Sequence, residues 1–174
     1  MTTIFEALRR SHREVEELFG DVQNAIASGQ IELAKTQFQL VSVKLVATMR
    51  AEHAVVYPRF AKEAGLMDEV SQALREHTGI ERMIDLLRVG GLSSNEWCDA
   101  VAQLGSLVAD HADCEECTLF PMASLSLDNK ALTEIAMDYK ARVTETVPIA
   151  GASITWDLPP VDPPAPFIIT FKAA

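Results

Sequence analysis

Two stretches of this chain share one pattern, and the pattern recurs at nearly the same distance from an upstream histidine. Glu52-His-Ala-Val-Val-Tyr57-Pro58 and Glu115-Glu-Cys-Thr-Leu-Phe120-Pro121 each place an acid six residues before a proline and an aromatic residue immediately before it. His12 stands 46 residues before Pro58, and His77 stands 44 before Pro121. A repeat of this size reads as a duplicated two-helix unit. That constrains the fold more than any bulk property of the chain.

Apolar periodicity fills in the helices. Thr3-Ile-Phe-Glu6 has the form of a capping box, and Phe5, Leu8, Val15, Leu18, Phe19, Val22 and Ile26 recur at helical spacing before Gly29. A second helix starts near Ile31 and passes Leu33, Phe38, Val41, Leu45, Val46, Met49 and Val56. It should kink at or near Pro58, with a short helical stretch running on to Gly65. Leu66 to about Arg88 is a third helix, closed by Gly90-Gly91. Ser93-Ser-Asn-Glu96 is a second capping box that opens a fourth helix through Trp97, Val101, Leu104 and Val108 to Pro121. The fold class expected is all-α, an antiparallel up-down four-helix bundle over residues 1–125, roughly 30 to 40 Å long.

Residues 126–147 should add a short fifth helix, from Asp128 to about Glu145. Residues 148–174 hold six of the eight prolines and cannot continue it. Ala152–Trp156 and Phe167–Phe171 are β-like apolar runs in this tail, expected to form a hairpin, to dock on the bundle, or to pair with a second subunit as a homodimer.

Composition narrows the function classes. The 174 residues, 48% of them hydrophobic, suit one domain with a sizeable core. The net charge of −10 repels phosphate backbones and anionic lipid, so neither nucleic acid nor a membrane is expected as a partner. Three cysteines do not make a disulfide framework, and the N-terminus has no secretory-signal pattern, so a reducing, cytoplasmic setting is expected. Cys114 and Cys117 sit deep in a predicted helix and are expected to be buried, as small apolar residues.

The four histidines, His12, His53, His77 and His111, all fall in predicted helices. His111 and Glu115 are four residues apart, which brings an imidazole and a carboxylate onto one face. One such pair is usually a solvated surface pair. Surface pairs have no reason to recur at matched distances from aromatic-proline endings, and buried acids and imidazoles are costly unless paired or bound to metal. A metal centre satisfies them together.

The order His, Glu-x-x-x-x-aromatic-Pro, His, and His-x-x-x-Glu-Glu-x-x-Leu-Phe-Pro resembles the hemerythrin-like, or HHE cation-binding, family over roughly residues 1–125. The resemblance implies a four-helix bundle around a non-haem di-iron centre. It also implies binding or sensing of O₂, or handling of related species such as NO and peroxide. Residue by residue, His12 and His77 match the family's lone histidines, Glu52 and Glu115 its bridging carboxylates, and His111 its fourth-helix ligand.

This chain departs from the family on the second helix, where Thr48 stands in place of a histidine four residues before Glu52. A threonine hydroxyl is a poor iron ligand. Two repairs are open. His53 reaches the site only if Pro58 or a π-bulge re-aims its turn, and is otherwise expected to pack elsewhere or at the surface. Glu16 and Glu81 would instead give a carboxylate-rich site, suited to Mn²⁺, Fe²⁺ or Zn²⁺. The expected metal set is His12, Glu52, His77, His111 and Glu115, completed by Glu81, Glu16 or His53 and holding two iron ions, with manganese or zinc as substitutes. Reversible binding or sensing is the leading expectation. The alternatives are a bundle with a degenerate site acting as a regulatory or interaction domain, and a peroxidase-type enzyme acting on NO or peroxide.

Overall fold

Both capping boxes form. Thr3 accepts from the Glu6 backbone N–H while its own N–H donates to the Glu6 carboxylate at 2.8 Å, and α1 runs over Ile4–Ala27. Ser93 and Glu96 exchange the same two bonds ahead of α5, Ser94–Cys114. These reciprocal bonds satisfy donors that a helix start otherwise leaves open. The computed structural model describes residues 2–146, and helices are its regular structure throughout.

Between the boxes lie α2 (Ile31–Ala51), a π segment (Glu52–Val56), α3 (Tyr57–Glu63) and α4 (Met67–Val89). After α5 come a second π segment (Glu115–Leu119), α6 (Phe120–Ser124) and α7 (Asn129–Thr146). Positive φ at Gly29 (71°) and Gly90 (84°) lets the chain leave α1 and α4 sharply.

The break expected at Pro58 takes the form of a π segment through which the rod continues. Pro58 has no N–H and its ring would collide with a carbonyl one turn back. Widening the preceding turn to i→i+5 bonding relieves both problems, and the same solution stands before Pro121. Each π segment begins at one of the duplicated acids, Glu52 or Glu115.

Two apolar clusters, one towards each end, hold the rods together. Ile4, Leu8, Val56, Phe60, Phe120 and Ile135 belong to one, and Val15, Phe19, Phe38, Ile84, Trp97 and Leu104 to the other. A fully buried side chain such as Leu8 or Leu104 contributes roughly 1.5–3 kcal/mol. Each long rod crosses from one cluster to the other, and an inward polar residue sits at the crossing: half-buried His12 between Leu8 and Val15, and buried Glu52 between Met49 and Val56, His77 between Ala73 and Ile80, and His111 between Leu104 and Leu119.

The fifth helix, α7, packs on α1, α2 and the first π segment. Its Tyr139 hydroxyl donates to Ser11 Oγ at 3.0 Å, with Thr48 alongside. The proline-rich tail, with its expected hairpin or dimer role, lies outside the described residues.

Candidate metal centre

Five side chains from four rods converge between the clusters. Two triads have ligand atoms within 4.8 Å of one another: Glu52, His77 and His111 form one, and His12, Glu52 and Glu115 the other. Glu52 is common to both. His77 Nε2 lies 2.8 Å from His111 Nε2 and 3.3 Å from Glu52 Oε2, and His12 Nε2 lies 3.3 Å from Glu115 Oε2. The five residues singled out in the sequence are therefore brought together.

A second layer orients the imidazoles. His12 Nδ1 donates to Glu116 Oε1 at 2.7 Å, and Arg9 holds Glu116 from the other side at 3.3 Å. His111 Nδ1 donates to Glu76 Oε2 at 2.8 Å, and Glu76 also accepts from Gln72. His77 Nδ1 shares a hydrogen bond of 2.8 Å with His53 Nε2. All three rings thus turn Nε2 inward and anchor Nδ1 outward, the arrangement that fixes tautomer and direction in metal-ligating histidines.

For His53 the condition set by the sequence, a π-bulge that re-aims its turn, is the one that forms, and the side chain reaches His77 without joining either triad. His53 lies in the first π segment, where the wider turn carries its side chain round to His77. Tyr57 packs in the apolar cluster of Leu8 and Phe60 and donates to Glu115 Oε1 at 2.8 Å. Neither Glu16 nor Glu81 joins a triad among the described residues. Glu16 is exposed. Glu81 is buried with Oε1 unpartnered, and burial lifts its carboxyl to about 7 against the opposing charge of Arg50.

Cys114 and Cys117 are exposed rather than buried. Once Glu115 faces inward, residues one before and two after it turn away from the core on a helical surface. The supporting acids Glu76 and Glu116 were missed as such. Each is adjacent in sequence to a ligand candidate, and that adjacency is the only local signal they leave.

Residues 3–123 match the hemerythrin HHE cation binding domain. The chain belongs to that family. One relative of this hemerythrin-family chain is a protein named DNA nickase from Nostoc sp. (strain PCC 7120 / SAG 25.82 / UTEX 2576), 27% identical over 152 residues. The match covers 87% of this chain and 42% of that protein, so the chain spans about two-fifths of its relative's length. No solved structure matches significantly. No helix among the described residues is long and apolar enough to cross a membrane.

Burial shapes the acid–base behaviour of the hemerythrin site. It lifts the Glu52 carboxyl to about 8, and the adjacent Glu115 charge adds to the lift. Burial also opposes ionisation of Glu115, but close contact with His12, the charges of His111 and His12, and the Tyr57 hydroxyl outweigh it and hold this carboxyl below its ordinary range. At His12 burial would lower the pKa, yet Glu115, Glu52 and Glu116 raise it to about 9. Burial and the charge of His111 press His53 down to about 4, and burial with all three neighbouring imidazoles keeps His77 well below the ordinary histidine value.

One side of the site is open. A cleft of about 890 Å³ between α1 and α5 leads inward to His12, Thr48, Glu52, His77 and His111. Thr48 donates to Lys44 O at 2.9 Å and offers no imidazole to the centre.

Proposed function

We propose that this hemerythrin-family chain holds a dinuclear His/carboxylate metal centre and uses it to bind or sense a small oxidising species such as O₂, NO or peroxide. The observation that carries the reading is the pair of triads sharing Glu52, each imidazole pre-oriented by a second layer. His12, Glu52 and Glu115 would hold one ion, and Glu52, His77 and His111 the other.

The residues fit such ions on their own terms. Glu115 Oε2 is buried without a hydrogen-bond partner, because His12 Nε2 at 3.3 Å is close but poorly aligned for one. Two adjacent buried carboxylates keep Glu52 protonated at neutral pH, a state that bound cations would reverse. Three imidazole nitrogens with two carboxylates suit iron, manganese or zinc. A pair of redox-active ions, when bound, supplies electrons to a small oxidant. The chain's own contribution is to hold the ligands rigidly, to donate from Tyr57 to Glu115, and to leave the Thr48 side open.

Elemental analysis of protein purified without chelator or metal-affinity tag tests this. The expected content is about two metal ions per chain, most of which Glu115→Ala should lose. Absence of metal after anaerobic Fe²⁺ reconstitution would overturn the reading and favour a regulatory bundle with a lost centre. A second reading, metal-dependent nicking of DNA, is favoured by the name of the Nostoc relative alone. Conversion of supercoiled to open-circular plasmid by the metal-loaded chain would support it. The net charge of −10 opposes it.

A further inference from the structure

The cleft is far larger than the small oxidants proposed to reach the centre. A water-sized molecule occupies roughly 30 Å³, so 890 Å³ exceeds the need of a diatomic or a peroxide by more than an order of magnitude. That volume lies within the range of sites that take organic ligands, which are typically apolar with a few convergent polar groups. This cleft has the same make-up. Phe19, Leu45, Met49, Ile80 and Val108 form its apolar walls, and the polar groups of the centre stand at its inner end.

Two glycines help keep it open. Gly20 of α1 and Gly105 of α5 both line the cleft, and glycine inside a helix weakens it relative to alanine. A Cβ added at Gly20 would meet nothing within 4 Å, and one at Gly105 would touch only Phe19 and Gln23. Tight helix packing therefore does not require them. Among the described residues that line the mouth, Glu16, Glu17 and Asp113 are exposed against one exposed cation, Arg13, which favours a positively charged ligand over an anion.

We propose that the cleft binds an apolar organic amine, its hydrocarbon body along α1 and α5 and its ammonium group at the acidic mouth. The body reaches the centre past Thr48, so the role of this ligand at the metal rests on the dinuclear reading above. The cleft itself does not depend on that reading.

Titration with the fluorescent apolar probe N-phenyl-1-naphthylamine tests the assignment, followed by displacement with octylamine and with octanoate, which match in chain length and differ in charge. The probe should bind saturably at one site, and octylamine should displace it at least about tenfold more effectively than octanoate. Gly20→Leu and Gly105→Leu should each weaken probe binding by about tenfold or more, with helicity and metal content unchanged. Gly79→Leu, at a glycine equally open but outside the cleft, should bind as the parent does. Equal displacement by octanoate, or unaltered binding in both cleft variants, would overturn the proposal. Metal per chain is measured on the same samples. Metal without probe binding sinks the cleft assignment alone, and probe binding without metal sinks the dinuclear reading alone.

Discussion

Raising the pH of the metal-free chain from 6.5 to 9 should destabilise it, and loading metal should reverse the slope. His12 gives up its proton at about 9 in the folded state against an ordinary 6.5, because Glu115, Glu52 and Glu116 outweigh the effect of burial. A raised pKa contributes stability that is fully present below the unfolded value and is lost as the pH climbs through the folded one. For His12 that loss is roughly 3 kcal/mol. Glu52 works in the same direction, since burial and Glu115 keep it protonated up to about 8 while the unfolded chain ionises it far lower. His53 and His77, both lowered, act the opposite way, but their penalty vanishes once the unfolded histidines have lost their protons near pH 6.5. In a domain of this size roughly 3 kcal/mol corresponds to a fall in Tm of about 6–12 °C. Melting followed by circular dichroism at steps across this window measures it, with metal content checked before each scan. Bound metal requires deprotonated ligands, so the loaded protein should hold or gain Tm over the same range. A metal-free chain whose Tm stays flat or rises between pH 6.5 and 9 would refute the electrostatic account of the site.

Removing the imidazole that orients His77, in His53→Ala, should weaken metal binding by about 10–100-fold with little change in helicity, as measured by competition with a chromogenic chelator. Unchanged affinity would mean that the His53–His77 bond does not support the ligand. Thr48→His should strengthen metal binding by about tenfold by adding a nitrogen donor at the inner end of the cleft, and no gain would show that position 48 does not face the centre. Leu104→Ala should cost about 2–5 kcal/mol in denaturant unfolding, because a fully buried side chain of the second cluster has no way to be replaced by collapse of the rods. A cost below about 1 kcal/mol would mean the cluster is looser than its burial indicates.

Local chemistry made most of the rods legible. Thr3 with Glu6, Ser93 with Glu96, and the glycines at 29 and 90 act through their own neighbourhoods, so their effect survives into the fold unchanged. The convergence of His12, Glu52, His77, His111 and Glu115 was readable because the repeat carried it across long sequence distances. The two π segments were not, since a shift of bonding by one residue leaves no mark on apolar periodicity. The sequence raised a π-bulge only as one way for His53 to reach the site, and its hydrogen bond to His77 Nδ1 became visible only with the fold. The exposure of Cys114 and Cys117 was hidden for a different reason. A cysteine is apolar enough to read as core on any face, and only the inward direction of Glu115 decides where its neighbours point. The cleft needed the whole fold, because its walls come from α1 and α5, with α2 and α4 behind them.

The duplication also explains where the site is open. Each half brings one carboxylate to the centre at the first residue of a π segment, Glu52 in one and Glu115 in the other. Four residues earlier the second half has His111, buried, held by Glu76 and turned towards His77. The first half has Thr48 at that place, its hydroxyl donating to the carbonyl of Lys44 along its own helix. The carboxylate-histidine pair is therefore complete in one half and broken in the other, and Thr48, where it is broken, lines the cavity. Tyr139 from α7, beyond the residues that match the family, stands beside Thr48 and Ser11 and adds no imidazole. A histidine at position 48 would add a nitrogen donor and fill part of this space. A short hydroxyl there, with two unpressed glycines along the same cleft, leaves room beside the His/Glu cluster for a ligand larger than a diatomic.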